Sequence, residues 1–104
     1  MKNDFQKIIE RAVEIKKKYE KIEPKKWEVE QAFMGMTKDM GELSKLLMVK
    51  GGYRDDFLKN IKTELGHELA DMLYSIIIIA DKTGIDLEKS FWRTMREVEK
   101  KKKK

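Results

Sequence analysis

Two acidic pairs are the residues of this chain best suited to chemistry: Asp39-Met40-Gly41-Glu42 and Glu68-Leu69-Ala70-Asp71, with residues 43–67 between them. In a helix, the i, i+3 spacing of each pair sets two carboxylates side by side on one face. Four carboxylates gathered between helices repel one another unless a cation neutralises them. An all-oxygen set of that kind suits a hard divalent ion. Mg²⁺ is expected, with Mn²⁺ as a possible substitute, and Mg²⁺ typically completes its shell with waters and substrate phosphates. The spacing alone is weak, since a chain with 19 acidic residues repeats it elsewhere, as in Glu20 and Glu23.

Steps of about 100° per residue add detail. On one helix, Ala32, Gly35, Asp39, Glu42 and Leu46 form an oblique row, which sets Asp39 among small and apolar neighbours. On another, Glu64, Glu68, Asp71 and Ser75 form a row that runs on into Ile78 and Ile79. Both rows are expected to be half-buried, where unpaired charge is costly. Glu64, one turn before Glu68, is a further ligand candidate or a partner behind the ligands. Gly41 and Gly66 flank the acidic residues, where a missing side chain would admit a phosphate or a close-packed helix. His67 adjoins Glu68, and its side chain leaves about 100° away from that of Glu68, toward the surface or an interface.

The elements that must position these residues are helical. Asp4 is suited to cap a first helix, with Phe5, Ile8, Ile9, Ala12, Val13, Tyr19 and Ile22 at helical spacing, ended by Pro24. A second is predicted from about Lys26 to Val49 along the stripe Phe33, Met36, Met40, Leu43 and Leu47, stopped by Gly51-Gly52. A third starts near Asp55 or Asp56 and runs to about Thr83, with Gly84 beyond its end. Asp86 caps a fourth, which directs Phe91, Met95 and Val98 inward. The fold class is therefore all-α with four helices in one domain, residues 1–99, followed by a lysine-rich, disordered tail at 100–104.

Composition narrows the partners. Charged residues make up 41% and apolar ones 40%, with a single Pro, which favours helices over sheet. The net charge of +5 belongs to the five lysines at 100–104, because the rest of the chain balances 19 basic against 19 acidic side chains. A neutral body with a basic tail argues against nucleic acid as a partner. No Cys is present, which excludes disulfides and thiolate sites. With neither a signal-type apolar segment nor a run long enough to cross a bilayer, a cytoplasmic protein without a membrane partner is expected.

Taken together, residues 27–98 resemble the MazG-like all-α nucleoside triphosphate pyrophosphohydrolases. The stretch Lys38-Asp-Met-Gly-Glu-Leu-Ser-Lys-Leu46 is similar to the first half of their Glu-x-x-Glu…Glu-x-x-Asp motif. Gly66-His-Glu-Leu-Ala-Asp-Met-Leu-Tyr74 is similar to the second half, and Ile79 to Glu88 to the turn that follows. The resemblance implies a four-helix bundle completed by homo-oligomerisation, as a homodimer or homotetramer. It implies Mg²⁺-dependent hydrolysis of a (d)NTP to (d)NMP and pyrophosphate, with clearing of the nucleotide pool as a role. Glu42, Glu68 and Asp71 match the family's metal ligands. Asp39 stands where the family usually has Glu and is one methylene shorter. Glu42 and Glu68 are the expected catalytic carboxylates, through a water that one of them deprotonates. Lys45, Lys82, Lys89, Arg93 and Arg96 are candidates for the outer phosphates, and Trp27 for stacking on the base. Phosphoribosyl-ATP pyrophosphatases share the motif but typically carry His where this chain has Ser75. A non-catalytic helical interaction module is the reading from another class.

Overall fold

The computed structural model of the chain describes residues 1–22, 28–51 and 61–102, and these residues form helices and their caps with no strand. The helices are α1 (Asp4–Ile22), α2 (Val29–Lys50), α3 (Ile61–Thr83) and α4 (Leu87–Lys102). The expected start of the third helix at Asp55 or Asp56, Pro24 at the end of the first, and Trp27 lie outside the described residues. None of the described helices is long and apolar enough to cross a membrane.

Local chemistry sets the helix ends. Asn3, rather than Asp4, caps α1: its Oδ1 accepts from the Gln6 N–H at 2.8 Å, and the Gln6 side chain accepts from the Asn3 N–H at 3.2 Å. That reciprocal pair satisfies two donors at once, and Asp4 becomes a first-turn acid facing the positive helix end. Glu28 opens α2, its backbone N–H donating to Gln31 Oε1 at 3.0 Å. α3 closes on Gly84, whose φ of +72° suits a residue without Cβ. The Ile85 N–H reaches the Ala80 carbonyl at 2.9 Å and the Gly84 N–H that of Asp81 at 3.3 Å, the two bonds of a Schellman motif. Asp86 then caps α4, accepting the Lys89 N–H at 3.1 Å. The composition placed the start of a tail at Lys100, and α4 is helical through Lys102.

The helices group into two compact units: Met1–Lys26 with Ile77–Lys104, and Trp27–Ile76. The first contains α1, the end of α3 and α4. It buries Ile77, Ile78 and Ala80 and sets the Phe5 and Phe91 rings 5.7 Å apart. It also buries Lys16, whose Nζ lies 2.6 Å from Asp81 Oδ2 and 3.5 Å from Glu20 Oε1. Phe91, Met95 and Val98, expected to point inward, each remain more than a third exposed.

The second unit pairs α2 with the first part of α3. Its buried face on α2 is the row of Ala32 and Leu46, while Phe33, Met40 and Leu47 are about half exposed. The buried stripe is thus rotated from the predicted one toward the row that carries Asp39. Long apolar side chains dominate a sequence pattern, yet the small Ala32 allows closer approach and so takes the buried position.

Candidate metal centre

The second unit contains all the acidic candidates. Along α3, exposure falls in the direction of the chain: Glu64 is exposed, Glu68 and Asp71 are half-buried, and Ser75 is buried. On α2, Asp39 is half-buried between Ala32 and Leu46, and Glu42 is exposed. The expectation of half-buried rows holds for Asp39, Glu68 and Asp71 and fails for Glu42 and Glu64, which are exposed.

Glu68 is the focus of the site. Its Oε2 is sealed from solvent and accepts no hydrogen bond among the described residues. Burial raises its pKa above the usual carboxylate value, and the negative charges of Asp39, Asp71 and Glu42 raise it further. His67 acts in the opposite direction. Asp39 and Glu42 on α2 thus act on Glu68 on α3. Buried acceptors are nearly always satisfied, so a sealed carboxylate oxygen among like charges is the kind of group a cation would complete. The donor set fits a divalent ion on that ground.

The tightest grouping differs from the predicted four carboxylates. One ligand atom from each of His67, Glu68 and Asp71 lies within 4.8 Å of the other two, a spread that a single ion can bridge. Asp39 and Glu42 stand outside this group. His67 remains on the surface, as its position suggested, but its Nε2 lies 3.2 Å from Asp71 Oδ2. Measuring only its offset from Glu68 missed that pairing. The available signal was its i, i+4 relation to Asp71.

The other candidates fall as follows. Lys45 is exposed on α2. Lys82 belongs to the first unit and donates to Glu20 Oε2 at 3.4 Å. Lys89, Arg93 and Arg96 are on α4 in the same unit, mostly exposed. Among the described residues, an added Cβ at Gly41 or Gly66 would meet nothing within 4 Å. No protein family, curated protein or solved structure matches the chain.

Proposed function

We propose that the protein is a metal-dependent nucleoside triphosphate pyrophosphohydrolase, releasing monophosphate and pyrophosphate at the α2–α3 carboxylates. The observation that carries this reading is the sealed Glu68 oxygen, which has no hydrogen-bond partner among the described residues and feels the charges of Asp39, Asp71 and Glu42. Asp39, Glu42, Glu68 and Asp71 would hold the ion, with Glu64 one turn away as an outer partner. A bound divalent ion, Mg²⁺ by the resemblance, would supply positive charge against the triphosphate and lower the pKa of a coordinated water.

The chain's own groups do the rest. Glu42, the most exposed of the four, is assigned to accept the proton of the attacking water, and Glu68 to position that carboxylate's surroundings or share the proton. Attack falls on the α-phosphorus, and pyrophosphate leaves as the anhydride bond breaks. Of the basic candidates, Lys45 is the one that shares a unit with the carboxylates. The exposed apolar side chains of the second unit support a homodimer or homotetramer, and the nucleotide substrate a cytoplasmic place.

A panel of canonical and modified (d)NTPs with Mg²⁺ or Mn²⁺, assayed for monophosphate and pyrophosphate, tests the proposal. Product formation that disappears in Asp71→Ala is the expected result. Intact nucleotides with a folded protein overturn it in favour of a helical interaction module.

A further inference from the structure

His67 is the only histidine in the chain, and there is no cysteine. Any imidazole ligand that this chain offers the site must therefore come from position 67. Its Nε2 lies 3.2 Å from Asp71 Oδ2, and one ligand atom each of His67 and Asp71 falls within 4.8 Å of a Glu68 oxygen. Adjacent ligands of an octahedral ion, each about 2.1 Å from the metal, stand about 3.0 Å apart. The His67–Asp71 separation is close to that value before any rearrangement. The imidazole is 66% exposed, so an ion can reach it from solvent.

We propose that His67 is a metal ligand beside Glu68 and Asp71, and that its nitrogen makes the site select a first-row transition ion such as Zn²⁺ or Co²⁺ over Mg²⁺. The inference rests on the metal-dependent reading above and names the ion that reading leaves to resemblance. Mg²⁺ prefers oxygen and holds its waters, so a site built for it has no use for an imidazole. Zn²⁺ and Co²⁺ take imidazole readily and gain affinity from it. A helix-surface pair between His67 and Asp71 is the competing account. It leaves the sealed Glu68 oxygen without explanation.

The test is made on the whole chain labelled with ¹⁵N. The imidazole nitrogens of the sole histidine are followed while Zn²⁺ or Mg²⁺ is titrated, and calorimetry gives both affinities for wild type, His67→Gln and Glu68→Gln. The expected result is a Zn²⁺-dependent move of the Nε2 resonance that Glu68→Gln abolishes. With it, His67→Gln should weaken Zn²⁺ at least tenfold, about the scale on which supporting residues act, and leave Mg²⁺ within roughly twofold. A stationary resonance while Zn²⁺ binds, or binding of Mg²⁺ without Zn²⁺, overturns the inference and leaves the metal-dependent reading standing. A shift that survives in Glu68→Gln shows an imidazole taking Zn²⁺ alone, and also overturns it. Failure of both ions to bind overturns the inference together with the reading beneath it.

Discussion

Glu68 shows how much one position can report. A carboxylate with a sealed oxygen, burial and three acidic neighbours is held in an unfavourable charged state. Replacing it with Gln keeps the shape and removes the charge. In chelated buffer at neutral pH, Glu68→Gln is therefore expected to melt at a higher temperature than wild type. Added divalent ion should then raise the melting temperature of wild type and leave the variant unmoved, because an ion that binds only the folded state stabilises it. Scanning calorimetry with and without chelator measures both. A variant that melts below wild type in chelator would mean that Glu68 has a partner stabilising its charge. Lys16 is the contrasting case, a charge well served by its surroundings. Burial works to lower its pKa, but the hydrogen bond and charge of Asp81, then Glu20, outweigh that and hold it above 10.5. Burial likewise works to raise Glu20, and the charges of Lys82 and Lys16 bring it below 4.5. A raised lysine contributes stability that is lost as pH rises through its folded value, and a lowered carboxylate contributes stability that is lost as pH falls through its own. Lys16→Met should therefore be destabilised most between about pH 4.5 and 10.5. The gap to wild type should narrow on both sides, as denaturant melts across pH would record. A gap that stays constant with pH would assign the loss to packing alone.

At the scale of the element, the legible parts were those fixed by local chemistry. Gly51 ends α2, Gly84 ends α3 and Asp86 starts α4, because each acts through its own backbone or nearest turn. Two positions read less well. Asn3 displaced Asp4 as the first cap, since Gln6 can return the hydrogen bond to Asn3. The buried stripe of α2 depends on what α3 brings against it, which periodicity within α2 does not contain. The acidic row of α3 was legible because it leads into Ser75 and the isoleucines. His67 was not, because its partner is one turn further on. The glycines separate these two kinds of information. Gly84 sits at φ +72°, so Gly84→Ala should lower stability by about 1 kcal/mol. Gly66 is helical and an added Cβ would meet nothing within 4 Å among the described residues, so Gly66→Ala should raise it by roughly 0.5–1 kcal/mol. Urea titrations of the two variants are expected to move in opposite directions. Loss of nucleotide hydrolysis in a stabilised Gly66→Ala would show that the missing side chain serves the substrate.

For the whole molecule, the decisive quantity is the apolar surface left on the second unit. Leu69, Leu73 and Ile76 follow one another at four and three residues along α3, and are 55%, 48% and 38% exposed. They occupy the side of the helix away from Glu68 and Asp71, so covering them leaves the carboxylates accessible. Met40, Leu47 and Met48 on α2 add to this surface and line an open groove of about 420 Å³ with Leu43, Ser44 and Met72. Exposed apolar side chains in such number on a helix pair are the mark of an interaction surface. A second copy of the chain is the partner the proposed enzyme calls for, since symmetric dimers bury the same row from both subunits. Wild type should therefore elute as a dimer or tetramer in size-exclusion chromatography with light scattering. Leu69→Glu combined with Leu73→Glu should elute as a monomer while keeping its helical circular dichroism, because both substitutions fall on exposed positions. If wild type is itself monomeric at tens of micromolar, where an interface of micromolar affinity would already be filled, the row serves some other partner and the assembly part of the proposal falls.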